Sequence, residues 1–168
     1  MKCHMPESQS ENLAQALLSL LDARVLTVAT AESCTGGNIA HLLTLIPGSS
    51  SAMLGGVVAY SNSVKTSLLE VNPRDIAAYG AVSLTVAEQM AQGARKATGA
   101  HIAMATSGIA GPGGAVPGKP VGTVCIAVAT PFGVESEEYH FSGNRSSVIE
   151  QASRAAILLA INTIARNA

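Results

Sequence analysis

Tryptophan is absent from this chain of 168 residues, and other aromatic side chains are few: three tyrosines and two phenylalanines. Charged residues make up only 12% of the chain, and the formal net charge is -1. Proteins that bind nucleic acid usually carry clustered basic side chains or aromatic platforms on which bases stack. Because this sequence has neither, nucleic acid is a poor candidate ligand.

Cysteine is also scarce: Cys3, Cys34 and Cys125 are far apart and odd in number. This usage is typical of free thiols in a reducing compartment rather than of a disulfide framework. The first residues are polar and lack the apolar core of a signal peptide, and no apolar run approaches the roughly 20 residues that span a bilayer. We therefore expect a cytoplasmic protein with no membrane partner.

The sequence also has no pair or cluster of Cys, His, Asp or Glu at the short spacings that are typical of metal-binding motifs. What the chain has is apolar material, because 48% of its residues are hydrophobic. A chain of about 150 residues can bury roughly two-thirds of the surface that it exposes when unfolded. We expect a flexible tail over residues 1–9 and a single domain over residues 10–168.

Apolar periodicity alternates between the helical and the extended pattern along this domain. Five strand-like runs occur, at residues 25–31, 53–60, 101–106, 121–130 and 134–141. Helical spacing occurs near residues 10–24, 39–46, 62–70 and 83–99, and again after Asn144. Alternating elements with a late hairpin predict an α/β fold, a three-layer α/β/α sandwich built on a mostly parallel mixed sheet.

Three polar segments each follow a predicted strand: residues 31–37 (AESCTGG), 60–65 (YSNSVK) and 106–120. Ligands of open α/β sheets gather beyond the carboxyl ends of the strands. We therefore look for the chemistry of this protein in these three loops.

Ser33 lies in the turn between a predicted strand and a predicted helix. Backbone N–H groups after such a turn point outward, so a serine there can act as a nucleophile beside an oxyanion hole. Simple capping of the next helix by Ser33 or Thr35 explains the same residues, and a lone thiol such as Cys34 is more often packed than reactive.

A serine hydroxyl needs a neighbouring base to become a nucleophile. The four histidines lie outside the three loops, and neither Asp22 nor Asp75 ends a strand, which argues against a Ser-His-Asp triad. Lys65 is the better candidate, because burial can lower the pKa of a lysine, and Tyr60 could relay the proton. A solvent-facing lysine on a short helix is the alternative interpretation.

Residues 113–119 contain the G-x-x-x-x-G-K part of a phosphate-binding P-loop. Pro120 stands where a serine or threonine would hold magnesium, and a strand-like run follows where the P-loop requires a helix. We do not expect nucleotide hydrolysis of that kind. The glycines are compatible with either a phosphate cradle or a long turn.

Five motifs, read in order, resemble one known family. They are A-E-S-C-T-G-G at 31–37, Y-S-N-x-x-K at 60–65, G-A-V-S at 80–83, S-G-I-A-G-P-G-G at 107–114 and K-P-V-G-T-V at 119–124. In order and spacing they resemble the CinA carboxy-terminal domain family, also known as PncC or nicotinamide-nucleotide amidase. The resemblance extends from about residue 10 to 165. It implies a standalone form, without the molybdopterin-binding type of domain that precedes this one in many relatives.

The resemblance implies an amidohydrolase of NAD metabolism that converts nicotinamide mononucleotide to nicotinic acid mononucleotide and ammonia, thereby salvaging pyridine nucleotide. It implies no metal or other cofactor, and a homodimer. It also implies a Ser-Lys-Tyr site, for which the matching positions are Ser33, Lys65 and Tyr60.

Given that chemistry, we expect the oxyanion and the substrate to contact residues of the three loops and of the start of the last helix. These residues are Cys34, Thr35, Gly36, Gly37, Asn62, Thr106, Ser107, Gly108, Gly111 and Arg145. Two other functions stay open: a non-catalytic nucleotide-binding regulatory module linked to competence or DNA damage, and an amidase that acts on another small amide.

Overall fold

The computed structural model describes residues 9–167. Of the predicted tail, Gln9 begins the first helix and residues 1–8 lie outside the described part. The helices and strands, in chain order, are α1 (Gln9–Ala23), β1 (Val28–Glu32), α2 (Asn38–Thr44), β2 (Met53–Val58), α3 (Asn62–Leu69), α4 (Pro73–Tyr79), α5 (Leu84–Thr98), β3 (Ile102–Gly108), β4 (Thr123–Thr130), β5 (Gly133–His140) and α6 (Arg145–Arg166). A short 3-10 helix at Ser49–Ser51 precedes β2.

The five strands form one sheet in the order β2-β1-β3-β4-β5. Strands β1, β2 and β3 are parallel, whereas β4 and β5 are antiparallel to their neighbours. Glu32, the last residue of β1, pairs with Val58 of β2 and with Thr106 of β3. Strands β1 and β2 therefore end level, whereas β3 continues to Gly108, and the segments that follow β1 and β2 leave the same edge of the sheet.

The two faces of the sheet carry side chains of different size. One face presents large apolar residues, among them Val28, Met104, Ile126 and Val128, to α1, α2 and α6. The other face consists mainly of alanines from β1, β3 and β4, which pack against Val86 and Met90 of α5. These two cores confirm the predicted three-layer α/β/α sandwich on a mixed sheet.

The alanine face allows α5 to come close to its neighbours. Gly93 of α5 lies against the end of α3, where a Cβ atom would be 2.0 Å from the Leu69 carbonyl oxygen. Real Cβ atoms do not approach a backbone oxygen so closely, so only glycine fits this contact. The position of α3 relative to α5 is thus set by a direct contact between backbones.

Some predicted boundaries were wrong for physical reasons. Val25 is not part of β1, because it is 85% exposed and has a left-handed φ of 55°. Ser107 and Gly108, which we assigned to a loop, are the last residues of β3. Helix α4 was not predicted; it is short and has no fully buried residue, and only the partly buried Ile76 packs against a core, so its sequence carries no marked apolar periodicity.

Helix α6 is long and apolar enough, by length and composition, to cross a membrane. Half of its apolar window is buried, however, and residues such as Ala152, Ala156 and Ile157 pack into the core beside the sheet. These contacts are typical of a core helix.

Candidate active site

Ser33 follows β1 directly and is held by its backbone. Its N–H donates to the Thr106 carbonyl at 2.9 Å, and its own carbonyl accepts from the Gly36 N–H at 3.1 Å. The turn continues through Gly36 and Gly37, whose φ angles of 59° and 100° are left-handed. A Cβ atom at Gly36 would meet nothing within 4 Å, so backbone conformation rather than space requires glycine there.

Lys65 approaches Ser33 from α3. Its Nζ atom lies 3.0 Å from Ser33 Oγ and donates to the Ala59 carbonyl at 2.8 Å. The Ser61 hydroxyl caps α3 by accepting from the Val64 N–H, which starts the helix soon after β2 and brings Lys65 under the strand ends. Only 1% of Lys65 is exposed, so the solvent-facing interpretation of this residue is wrong.

Burial also changes the acid-base behaviour of Lys65. Loss of hydration lowers the pKa of the amine below its ordinary value of 10.5, and the nearby Cys34 opposes this to a smaller extent. Within residues 9–167 no carboxylate forms a salt bridge with Lys65. The amine is therefore more readily neutral than an exposed lysine, as a base that accepts the Ser33 proton must be.

Tyr60 lies apart from this pair. It is 61% exposed, and its hydroxyl accepts a hydrogen bond of 2.8 Å from Arg145 Nη2. Arg145 Nη1 donates to the Gly111 carbonyl at 2.8 Å, so one guanidinium connects two of the loops. Among the described residues, no hydrogen bond joins the Tyr60 hydroxyl to Ser33 or Lys65. The structure brings Ser33 and Lys65 together and leaves Tyr60 in a separate contact.

The hydroxyl groups of the predicted residues Thr35, Thr106 and Ser107 form hydrogen bonds with other groups of the protein. Thr35 Oγ1 donates to a Glu32 carboxylate oxygen at 2.7 Å and lies 2.7 Å from Thr106 Oγ1. Because a hydroxyl has one proton, Thr106 must be the donor to Thr35. Ser107 Oγ donates to the Ala81 carbonyl at 2.6 Å. All three predicted side chains are buried, so this geometry does not support direct substrate contact by their hydroxyls.

Glu32 received no role in the sequence analysis, although it lies beside Ser33. It is 1% exposed, and its carboxylate accepts hydrogen bonds from Thr35 Oγ1 at 2.7 Å, the Ile39 N–H at 2.8 Å and the Ala40 N–H at 3.0 Å. The signal in the sequence was an acidic residue at the end of the otherwise uncharged strand V-A-T-A-E, just before a helix.

The turn after β1 leaves few backbone amides for a ligand. The amides of Ser33, Gly36, Asn38, Ile39 and Ala40 donate within the protein. In the described part of the chain, the N–H groups of Cys34, Thr35 and Gly37 donate to no backbone or side-chain oxygen. These three amides are therefore the candidates for an oxyanion hole in this turn.

The other predicted residues have mixed environments. Cys34 is buried, and burial is the main reason that its pKa rises to about 12, so the thiol stays protonated. Asn62 is exposed at the start of α3. Gly108 packs against Thr123 and Val124, which is a structural role. Cys34 and Cys125 are both free thiols, whereas Cys3 lies outside the described residues.

The segment resembling a P-loop is a turn. Val116 and Lys119 form an isolated β-bridge, and Lys119 Nζ donates to the Tyr79 carbonyl at 2.6 Å. The lysine thus attaches the turn to the end of α4, which favours the long-turn interpretation.

Fold and site together define a three-layer α/β domain with a serine–lysine pair at the carboxyl edge of its parallel strands. The sequence model of the CinA C-terminal domain matches residues 10–164, and the chain belongs to this family.

Relatives of known sequence agree with this membership. The chain is 47% identical to a CinA-like protein of Acidobacterium capsulatum over 150 residues, which cover 89% of this chain and 36% of that protein. A CinA-like protein of Chlorobaculum tepidum is 48% identical over 150 residues, covering 86% and 36% respectively. The chain thus spans about a third of the length of these relatives.

Solved structures of the same superfamily have the same fold over nearly the whole chain. A CinA superfamily protein from Klebsiella pneumoniae has a TM-score of 0.91 at 34% identity, covering 95% of this chain and 99% of that one. The competence/damage inducible protein CihA from Agrobacterium tumefaciens has a TM-score of 0.89 at 39% identity, with the same coverage.

Proposed function

We propose that this protein is a nicotinamide-nucleotide amidase, a serine amidohydrolase that converts nicotinamide mononucleotide to nicotinic acid mononucleotide and ammonia in pyridine nucleotide salvage in the cytoplasm. The observation that carries the proposal is the pair formed by Ser33 Oγ and Lys65 Nζ, 3.0 Å apart, with the lysine buried. A regulatory module that only binds a nucleotide has no need of a buried amine beside a serine.

The reaction uses the pair in two stages. Neutral Lys65 accepts the Ser33 proton while Oγ attacks the carboxamide carbon, and the developing oxyanion is bound by amides of the same turn, for which Cys34, Thr35 and Gly37 are the candidates. As the C–N bond breaks, the Lys65 ammonium returns this proton to the leaving nitrogen, which departs as ammonia. Water then attacks the acyl-enzyme with Lys65 again as base, releasing the carboxylic acid and restoring Ser33.

Substrate recognition belongs to the exposed part of the site. Arg145 has five N–H donors, and its contacts with Gly111 and Tyr60 leave donors for a phosphate group. The exposed ring of Tyr60 offers a face for the cationic pyridinium ring. We assign the phosphate of the mononucleotide to Arg145.

We also propose that the protein is a homodimer. The edge strand β2 carries Leu54 and Val58, which are 48% and 51% exposed, and the exposed Tyr60 follows it. Exposed apolar side chains on a sheet edge are typical of an interface with another chain.

The deciding experiment measures ammonia released from nicotinamide mononucleotide, nicotinamide riboside, nicotinamide and simple aliphatic amides. We expect the mononucleotide to have the highest kcat/KM. Ser33→Ala should lower kcat by on the order of 10⁴-fold or more, because the covalent route is lost. His41→Gln, a change on the exposed side of α2, is the control and should retain parental activity. If the parent releases no ammonia from the mononucleotide, the proposal is refuted. If it releases ammonia faster from an aliphatic amide, the protein is an amidase with a different substrate.

A further inference from the structure

The buried carboxylate of Glu32 connects the start and the end of the turn that carries Ser33. Glu32 is the residue before Ser33, and its side chain reaches across the turn to the Ile39 and Ala40 amides of α2 and to the Thr35 hydroxyl. No salt bridge neutralises it among residues 9–167. A carboxylate with 1% exposure depends on these donors, so the turn must keep its shape for the charge to be tolerated.

Thr106 attaches the same turn to strand β3 at two points. Its carbonyl accepts from the Ser33 N–H at 2.9 Å, and its hydroxyl lies 2.7 Å from Thr35 Oγ1. The nucleophile and the residue two positions later are thus bonded to one residue of the neighbouring strand. This second attachment is not needed to cap α2, since Glu32 already accepts the two helix amides.

Lys65 is held by a contact that involves none of these three side chains, although the Ala59 N–H donates to the Glu32 backbone carbonyl at 2.8 Å. Its amine is held by the Ala59 carbonyl on the other side of the site, and Ser33 Oγ is its other polar contact. The distance between the pair therefore depends on where the turn after β1 is placed. Small errors in such a distance cost large factors in rate, because the proton transfer and the attack require alignment.

We propose that Glu32, Thr35 and Thr106 form a positioning network that aligns Ser33 with Lys65 and leaves the Cys34, Thr35 and Gly37 amides free for the oxyanion. The proposal rests on the proposed function in one respect, that Ser33 is the nucleophile. Thr35 is the central member, since its hydroxyl donates to Glu32 and accepts from Thr106. None of the three side chains touches the reacting atoms.

The test compares Thr35→Val, which keeps the shape of the side chain but loses both hydrogen bonds, with Thr35→Ser, which keeps the hydroxyl. A fluorophosphonate probe reports on Ser33 without any substrate: Ser33 Oγ forms a bond to phosphorus, fluoride leaves, and Lys65 takes the proton. Intact-mass spectrometry of the full chain gives the labelling rate and the final fraction labelled. Steady-state assays with nicotinamide mononucleotide give kcat and KM, and thermal unfolding gives Tm.

We expect Thr35→Val to label on the order of 10²-fold more slowly than the parent, with every molecule labelled in the end. Its kcat should fall by a similar factor, while KM and the pH midpoint of the acid limb of kcat stay near the parental values. Thr35→Ser should restore both rates to within about threefold of the parent. Thr163→Val is the matched control, because it removes another buried threonine hydroxyl that donates to a glutamate, at 3.2 Å from Glu135. It should label at the parental rate.

A Thr35→Val protein that labels at the parental rate would overturn the proposal, as would one in which only the final labelled fraction falls, since that result means lost folding without lost alignment. If Thr35→Val does not fold, Thr106→Val decides in the same way. This variant removes only the hydrogen bond between Thr106 and Thr35 and keeps the hydrogen bonds of Glu32 to the amides of α2. A parent that does not label would overturn both this proposal and the proposed function. A parent that labels but releases no ammonia from the mononucleotide would refute the substrate alone, and the labelling rates would still decide the positioning role.

Discussion

Lys65 and Tyr60 are five residues apart in one short segment, yet they have opposite environments. Lys65 is 1% exposed and contacts Ser33, whereas Tyr60 is 61% exposed and contacts Arg145. The interior part of the site, which contains Ser33, Lys65 and the Glu32 network, controls proton affinity through burial. The exposed part, Tyr60 with Arg145, offers donors and an aromatic face to a ligand. The two parts should therefore affect kcat and KM separately.

The largest effect is expected from changing the buried base. Lys65→Arg keeps a positive charge but cannot accept a proton near neutral pH, so kcat should fall on the order of 10³-fold, about as far as in Lys65→Met. In the parent, kcat should rise with pH along an acid limb with a midpoint below 10.5, the ordinary pKa of lysine. Stopped assays of ammonia release, carried out between about pH 5 and pH 10, measure the loss of kcat in the variants and the pH dependence of kcat in the parent. An active Lys65→Arg enzyme would mean that another group is the base.

The same residue predicts a dependence of stability on pH. Because the pKa of Lys65 is lower in the folded than in the unfolded chain, the unfolded chain binds more protons between these two values. This group therefore makes the free energy of unfolding rise with pH across that window, up to about pH 10.5. Urea denaturation at several pH values should show this slope in the parent and a smaller one in Lys65→Met. Equal slopes in the two proteins would contradict the lowered pKa.

A smaller effect, confined to binding, is expected from Arg145. Arg145→Gln should raise KM for nicotinamide mononucleotide by about 10- to 100-fold, the usual loss for a hydrogen bond to a charged group, with kcat little changed. The specificity constant for nicotinamide riboside should hardly change, because it has no phosphate. An equal loss for both compounds would remove Arg145 from phosphate recognition.

The smallest effect that separates the two parts of the site is expected from Tyr60. Tyr60→Phe loses a single hydrogen bond to Arg145, which should raise KM about 2- to 5-fold and leave kcat near the parental value. Steady-state kinetics over a range of substrate concentrations distinguishes KM from kcat. If kcat falls by two decades, Tyr60 relays the proton, as the sequence analysis considered, and the separation between the interior and the exposed parts of the site is wrong.

Part of this site could be predicted from sequence because it depends on local features. A serine in a strand-to-helix turn followed by Gly36-Gly37, and a lysine on the helix after the next strand, are visible in the spacing alone. The level ends of β1 and β2, which follow from parallel pairing, place these segments at one edge.

The rest depends on contacts between residues distant in the chain. Thr35 and Thr106 are 71 positions apart, and Tyr60 and Arg145 are 85 apart, so no local pattern indicates that they are partners. The role of Glu32 was missed for a related reason, since an acidic residue is usually exposed and its burial depends on donors that only the folded turn provides. Helix α4 was missed because it has no fully buried residue, and its one core contact is the partly buried Ile76.

Lys65 lies on α3, and α3 is positioned by the contact between Gly93 of α5 and the Leu69 carbonyl. The position of the Lys65 amine therefore depends on a residue of α5, a helix that carries none of the predicted site residues. Any side chain at position 93 would act as a spacer between α5 and the end of α3. For protein engineering, this means that a substitution at position 93 should disturb the serine–lysine pair from outside the site, because even one methyl group would overlap the backbone at the end of α3. A directed-evolution library restricted to residues around Ser33 would not sample this position.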